Sequence, residues 1–173
     1  MPRFAGAALR GNMKCKGMRD MRFTTRPVTI EDYESILALW NSAEQSRRAL
    51  NPVDDSKAGI ERYLKRNPGT CFLACDADAP QKTIGVILSG HDGRRGIVHH
   101  LCVHPDYRRL GIARCLVRKA EEALRAEGIS KVFGLVFRDN DPANAFWEEQ
   151  GYALRTNLNY RNKSLNPEVP LGE

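Results

Sequence analysis

The segment His104–Ala113, with the sequence HPDYRRLGIA, contains the residue types that bind a phosphate-rich ligand. Arg108 and Arg109 supply positive charge, and Gly111 allows close approach of an anion because it has no Cβ. Ala113 has a small side chain, so the following turn of the helix takes little space beside the ligand. A helix that begins at Gly111 adds free backbone N–H groups and the positive end of its dipole. We therefore predict an anion-binding segment, with a pyrophosphate as its natural ligand.

Other kinds of site are excluded by spacing. A P-loop requires G-x-x-x-x-G-K-[ST] and a dinucleotide-binding fold requires G-x-G-x-x-G, and the sequence contains neither. The five cysteines include no C-x-x-C pair, so we expect no zinc site. Their odd number argues against a disulfide framework, and we expect free thiols in a cytoplasmic protein.

The run Gly96–Val103 contains two adjacent histidines, His99 and His100. Histidine exchanges a proton readily near neutral pH, so either side chain is a candidate general base. Alternate side chains of a regular strand face opposite sides of a sheet, which groups His99 with Leu101 and Val103 and puts His100 on the other face. A regular strand therefore aims only one histidine at any one site, although a bulge would change this.

Hydrophobic patterns predict the elements that position these residues. Apolar residues at helical spacing predict helices after Thr29, after Ser56 and over Gly111–Glu127, and a short helix follows Asp141. Strands are predicted at Phe23–Pro27, Thr70–Asp76, Thr83–Ser89, Gly96–Val103, Val132–Phe137 and Leu154–Tyr160. A strand, a helix and another strand in succession form a parallel crossover. The expected fold class is α/β, with a mixed sheet of about six strands and about four helices.

Positive charge is concentrated at the N-terminus. The chain has a net charge of +6, and residues 1–20 account for +4 of it. A nucleic-acid-binding domain displays its charge on a folded face, so we expect no specific nucleic-acid partner. No apolar run reaches the ~20 residues of a membrane span, so we expect no membrane partner. We predict a disordered basic leader over residues 1–20, one domain over residues 21–165 and a loose end over residues 166–173.

Two segments resemble the GNAT superfamily of acetyltransferases. Residues 103–113, VHPDYRRLGIA, are similar to its R/Q-x-x-G-x-G/A motif in the usual place after a strand. Residues 140–152, NDPANAFWEEQGY, resemble its later N-x-x-A-x-x-F-Y-x-x-x-G-F segment. The resemblance covers about residues 21–162. It is greatest to small bacterial single-domain members, including relatives of the ribosomal-protein alanine acetyltransferase.

The resemblance implies an acetyl-CoA-dependent N-acetyltransferase that acts on a primary amine, as a monomer or homodimer and without a metal. It also implies the GNAT fold, with a central, strongly twisted sheet that opens between its fourth and fifth strands. The pantetheine arm would enter that opening. The residues that the resemblance assigns to acetyl-CoA are Leu101, Val103, Arg108, Arg109, Gly111, Ile112, Ala113, Asn140 and Trp147. The acceptor could be a protein N-terminus, a lysine or a small-molecule amine.

Trp147 departs from the family pattern, which often has a tyrosine here to reprotonate the leaving thiolate. An indole N–H can donate a hydrogen bond or pack against the cofactor, but it is too weak an acid for that step. Water would then complete the reaction. A non-catalytic acetyl-CoA-binding module is the alternative function, and core packing is the alternative role of Trp147.

The choice of base also follows from the resemblance. In the GNAT relative that acetylates arylalkylamines, histidines of the corresponding strand assist deprotonation, and alignment matches the second of them to His99. His99 is therefore the favoured base and His100 the less favoured one, with packing of His99 as the alternative. Asp54 and Asp55 either hold a cationic acceptor or begin a helix.

Overall fold

The computed structural model describes residues 23–169, so the predicted leader and residues 170–173 lie outside the described residues. The strands of this region are β1 (Phe23–Pro27), β2 (Phe72–Asp76), β3 (Thr83–His91), β4 (Gly96–Val103) and β5 (Val132–Gly134). Its α-helices are α1 (Tyr33–Asn41), α2 (Glu44–Arg48), α3 (Lys57–Arg66), α4 (Ile112–Ala126) and α5 (Asp141–Glu149). No helix between residues 23 and 169 combines the length and apolar character that a membrane span needs.

The five strands form one sheet in chain order, β1-β2-β3-β4-β5. The pairs β1–β2, β2–β3 and β3–β4 are antiparallel, whereas β4 and β5 are parallel. The parallel pair is joined by α4, since parallel neighbours need a crossover connection. This confirms the predicted α/β class and the mixed sheet.

Helices cover both faces of the sheet and bury two hydrophobic clusters. On one face, α1 and α3 pack around Trp40, Leu73 and Leu88. On the other face, α4 packs against Ile87 and Val98. Each large apolar side chain that leaves water contributes about 1.5–3 kcal/mol, so β3 and β4 are held firmly from both sides.

Contact between α4 and β3 is close at Gly85. A Cβ atom on this residue would lie 2.8 Å from Cγ2 of Ile112. Because real Cβ atoms do not approach other atoms so closely, only glycine fits here without a shift of the helix. The first turn of α4 is therefore fixed against the sheet, and with it the predicted anion-binding segment.

The predicted sixth strand is wrong. Leu154, Leu158 and Tyr160 are 73%, 62% and 70% exposed, and the segment has no strand structure. Its apolar side chains bury no surface that would hold it against the sheet, and β5 ends at Gly134 rather than at Phe137, which leaves little edge to pair with. Among the described residues there are five strands rather than about six. There are five α-helices rather than about four, because α2 forms within a stretch that the pattern left without an element.

Three cysteines meet the expectation of buried free thiols, namely Cys71, Cys75 and Cys102. Burial raises the pKa of the Cys71 thiol to about 11, so this group stays protonated. Cys115 is disulfide-bonded instead, which corrects the expectation at that position. An odd number of cysteines rules out complete pairing but does not rule out a single bond.

Candidate active site

The sheet opens between β4 and β5 because β5 is short. The two strands pair only at Gly96–Val132, Ile97–Phe133 and Val98–Gly134. Beyond Val98, β4 continues to Val103 with β3 as its only strand partner in residues 23–169. Backbone N–H and C=O groups on its other edge are thus free to bind a ligand. This confirms the predicted gap between the fourth and fifth strands.

A cleft occupies this gap. Its walls are the second half of β4, the helix α2, the chain after β5 and the first turns of α5. The residues that line it are Gln45, Ser46, Ala49, Val98, His99, His100, Leu101, Gly134, Leu135, Val136, Phe137, Asn140, Ala143 and Trp147. Five of the residues predicted from sequence, two histidines and three cofactor residues, therefore share one cleft.

The backbone at the start of α4 is suited to an anion. Arg109 and Gly111 have positive φ angles of 61° and 77°, and Gly111 is the N-cap of the helix. The first helical hydrogen bond runs from the Cys115 N–H to the Gly111 carbonyl over 3.0 Å. The N–H groups of residues 111–114 consequently have no acceptor within the helix. Arg108 and Arg109 are exposed beside them.

We refer to Arg108–Ala113 as the phosphate loop. Its residues differ in what they can offer to a ligand. The Ile112 side chain is only 1% exposed and belongs to the core, so its backbone N–H is the group left for binding. Glycine at 111 leaves the approach free of side-chain atoms. A pyrophosphate therefore fits this loop.

Asn140 is the N-cap of α5, so the helix begins at Asp141, one residue earlier than predicted. Its Oδ1 accepts a hydrogen bond from the Ala143 N–H at 3.3 Å. Asparagine and aspartate cap helices equally well, and Pro142 is tolerated in the first turn of a helix that begins at Asp141. The Nδ2 group of Asn140 is the part of the side chain left for a ligand. Asn144 fixes the loop by donating to the Phe137 and Asn140 carbonyls, each at 3.0 Å.

Trp147 lines the cleft and also packs in the hydrophobic cluster on the α4 face. Its ring makes edge contacts with Phe146 and Tyr152, with centroids 5.4 Å and 4.6 Å away. Core packing of Trp147 is confirmed. The residue also borders the cleft, where its contact with the cofactor stays a prediction.

A β-bulge interrupts β4 at the two histidines. Ile87 of β3 pairs with Leu101, and Ser89 pairs with Val98. Two steps along β3 thus match three steps along β4, so one extra residue is accommodated at His99–His100. Bulges of this kind redirect side chains and are common beside active sites.

The bulge brings both histidines to the sheet face covered by α1 and α3. The His99 ring lies edge-on to Tyr63 at 5.5 Å, and the His100 ring lies 4.7 Å from that of Trp40. Leu101 packs on the opposite face, with α4. The predicted grouping of His99 with Leu101 is therefore wrong, because alternation fails at an inserted residue.

His100 is paired with a carboxylate that sequence analysis had not linked to it. Its Nε2 lies 2.9 Å from Oδ1 of Asp55, and the two side chains are only 15% and 12% exposed. Asp55 had been predicted to hold an acceptor or to begin a helix. Ser56 caps α3, which confirms the predicted start of that helix, and accepts from the Gly59 N–H at 3.2 Å, so Asp55 does not begin it. A pair 45 residues apart in sequence leaves no local pattern that could predict it.

A contact links two walls of the cleft. Arg48 of α2 donates to Asp139 at 2.7 Å, and its guanidinium lies 4.2 Å from the centre of the Phe137 ring. Both charged side chains are largely exposed, so the ion pair adds at most about 1 kcal/mol. It nevertheless joins α2 to the segment that precedes α5.

The environment of His99 predicts a dependence of stability on pH. One side of the ring is open to the cleft, but protein surrounds the rest, and this burial lowers the pKa of His99; His100 adds to the effect and Asp55 opposes it. The folded state therefore binds fewer protons here than the unfolded state, and stability falls as the pH drops through the histidine range of about 6.5.

We expect His99→Gln to lose less thermal stability than the wild type between about pH 8 and about pH 5.5, because the variant has no proton to exclude at this position. Melting temperatures measured across this range test the sign. A steeper acid loss in His99→Gln than in the wild type would contradict the expectation.

Comparison with known proteins agrees with this geometry. Residues 33–152 match the model of the Acetyltransferase (GNAT) family. An acetyltransferase of Sodalis glossinidius is 33% identical over 135 residues, which cover 78% of this chain and 90% of that protein. The PaiA N-acetyltransferase of Thermoplasma acidophilum, solved in complex with coenzyme A, superposes with a TM-score of 0.63 at 17% identity, covering 86% of this chain and 96% of that one.

A second solved structure has the same fold. The ribosomal-protein-alanine N-acetyltransferase of Brucella melitensis biovar Abortus 2308 superposes with a TM-score of 0.59 at 20% identity, covering 82% of this chain and 99% of that one. At such identities the superpositions show the fold alone, whereas the family match and the curated relatives show membership of the family. The chain therefore belongs to the GNAT family and is an N-acetyltransferase whose acetyl donor is acetyl-CoA.

Proposed function

We propose that this protein transfers the acetyl group of acetyl-CoA directly to a primary amine. The observation that favours this is the cleft between β4 and β5, which combines a free strand edge with two histidines. A strand edge can hold an amide-containing arm, and an imidazole can take a proton from an amine. The acceptor class includes a protein N-terminus, a lysine side chain and a small-molecule amine.

We assign binding of acetyl-CoA to two regions. The phosphate loop would hold the pyrophosphate through backbone N–H groups of Gly111, Ile112 and Ala113, with added charge from Arg108 and Arg109. The free edge of β4 at Leu101 and Val103 would bind the amide groups of the pantetheine arm. Asn140 would donate from the opposite wall through Nδ2, and Trp147 would pack beside the arm.

Acetyl transfer requires deprotonation of the amine, stabilisation of the negative charge on the acetyl oxygen and protonation of the leaving thiolate. The acceptor amine must be neutral to attack, so a histidine of the cleft removes a proton from it. Negative charge develops on the acetyl oxygen, and a backbone N–H of the free β4 edge stabilises it. The leaving thiolate takes a proton from water or from the attacking nitrogen, because the indole of Trp147 is not an acid.

A panel of acceptors tests the proposal. Purified protein is mixed with acetyl-CoA and, in turn, spermidine, tyramine, lysine, and short peptides that begin with alanine, serine or methionine. We expect at least one amine to gain an acetyl group, detected by mass spectrometry, with matching release of the CoA thiol. The N,N-dimethyl form of the same amine is the matched control, since it has no N–H to replace. Binding of acetyl-CoA with no acetylated amine in the panel would count against a primary-amine acceptor.

A further inference from the structure

We propose that Asp55 and His100 act together as the proton acceptor of the reaction. Asp55 is a positioning residue, and Nδ1 of His100 takes the proton from the acceptor amine. This inference rests on the proposed acetylation of a primary amine, and it assigns the base to one histidine of the two in the cleft.

Hydrogen bonds hold both the carboxylate and the backbone of Asp55 in place. Its Oδ2 accepts from the Asn51 N–H at 2.6 Å, and its backbone carbonyl accepts from the Tyr33 hydroxyl at 3.0 Å. The Asn51 side chain is fixed in turn, because its Oδ1 accepts from the N–H groups of Val53 and Asp54, each at 2.9 Å. A carboxylate so fixed presents Oδ1 to His100 in one orientation.

That orientation decides which ring nitrogen is free. A carboxylate accepts hydrogen bonds, so the tautomer of His100 that carries its proton on Nε2 is the favoured one. Nδ1 is then unprotonated and able to take a proton. The positive charge that follows is stabilised by Asp55 at 2.9 Å. Trp40 is fully buried and lies against the His100 ring, so it limits rotation of that ring.

His99 lacks this arrangement. Its ring contacts the edge of Tyr63 rather than a carboxylate. The His99 side chain is exposed in the cleft, but desolvation by the protein around it lowers the pKa of His99, which opposes protonation. Burial also raises the pKa values of the Tyr63 hydroxyl and the Cys102 thiol, so both stay protonated. The titratable groups that the structure places beside His100 are Asp55, which bonds to it, and His99, its neighbour on β4.

The acceptor arrives as an ammonium ion and gives one proton to Nδ1 of His100. The neutral nitrogen then bonds to the acetyl carbon as the carbon–sulfur bond breaks, and its second proton passes to the thiolate, directly or through water. His100 finally returns its proton to solvent. One ammonium and one thioester thus yield one amide, one thiol and one proton.

Isosteric variants test the pair with the panel amine that the wild type acetylates fastest. We expect His100→Gln to lower kcat by ~10²-fold or more, the range for loss of a general base. Asp55→Asn should lower kcat by about tenfold, because an amide does not stabilise the positive charge that forms on His100 at 2.9 Å as a carboxylate does. Asp78→Asn is the matched control, since this exposed side chain lies between β2 and β3, does not line the cleft and is expected to keep wild-type kinetics.

Two further measurements separate chemistry from folding. Every variant should keep the rise in melting temperature that acetyl-CoA gives, and the double variant should be no slower than His100→Gln, because the two residues act as a unit. Two-bond ¹H–¹⁵N spectra of the wild type should show the proton of His100 on Nε2, and Asp55→Asn should reduce that preference.

The outcomes distinguish this inference from the function on which it rests. An inactive wild type across the panel overturns both. An active wild type whose His100→Gln variant keeps more than about a tenth of kcat overturns the Asp55–His100 assignment alone, as does a proton on Nδ1 in the spectra. A ~10²-fold loss in His99→Gln with near-normal His100→Gln would transfer the role to His99.

Discussion

A Gly111→Val variant is expected to bind acetyl-CoA at least about 100-fold more weakly, a loss of about 2.8 kcal/mol. Gly111 caps α4 with a φ of 77°, a conformation that β-branched residues rarely adopt. A valine side chain would also take the space that we assign to the pyrophosphate, beside the free N–H groups of the helix. The measurement is the rise in melting temperature on titration with acetyl-CoA, supported by calorimetric affinity.

The other end of the same helix provides the control. Gly128 has a φ of 80°, and a Cβ there would meet nothing within 4 Å. Gly128→Val therefore imposes a comparable backbone strain, about 1–2 kcal/mol, far from the phosphate loop. Both variants should melt earlier than the wild type, but only Gly111→Val should lose its response to acetyl-CoA. Undiminished binding in Gly111→Val would refute the assignment of the pyrophosphate to this loop.

Gly59→Ala is expected to destabilise the protein by about 2 kcal/mol, although alanine is normally the better residue inside a helix. Gly59 lies in the first turn of α3, and a Cβ there would stand 2.1 Å from the Asp54 carbonyl oxygen and 2.9 Å from that of Val53. These are backbone atoms and cannot turn aside, so the segment must move. Overpacking costs about 1–3 kcal/mol, and clashes with backbone atoms this close put Gly59 at the upper end of that range. A gain of about 1 kcal/mol from helix propensity leaves a net loss of about 2 kcal/mol.

The sign of the change makes this a sharp test. Propensity alone predicts a stabilised variant and the contact predicts a destabilised one, which denaturant unfolding distinguishes. Because the displaced segment precedes Asp55, the variant should also lose acetylation rate to a degree that its stability does not explain. Gly69→Ala is the control: its φ is 78° and its Cβ would meet nothing within 4 Å, so it should cost only the backbone strain of about 1 kcal/mol. A Gly59→Ala variant more stable than the wild type would contradict the proposed contact.

Local sequence patterns were enough to predict the start of α4 and the loop before it, whereas phosphate binding by that loop stays a prediction. The arginines, Gly111 and the long apolar stripe of α4 are neighbours in sequence, so spacing alone places them together. The strands before the loop were predictable for the same reason, because each has its own run of apolar residues. The gap beside β4 followed from family resemblance, and the short pairing with β5 confirmed it.

Features that depend on distant partners were not predictable. The bond between Asp55 and His100 joins residues 45 apart, and neither residue type is unusual in its own segment. The opposite error concerns the predicted strand Leu154–Tyr160, which the local pattern favours but which does not form. Leu154, Leu158 and Tyr160 have the spacing of a strand face, but a strand also needs a partner edge and a surface to bury, and neither is visible in a local pattern.

The bulge in β4 has a genetic consequence. Val98 and Leu101 both face α4, and Cys102 faces the opposite cluster. The bulge accommodates the extra residue between Val98 and Leu101, so the apolar residues on both sides of it keep these orientations. Removing one histidine codon would leave a regular strand with the same apolar residues on the same faces. Duplication of a single codon could equally turn a strand with one histidine into one with two. A lineage can therefore gain or lose a second ionisable group in this cleft by a single in-frame event, without rebuilding its core.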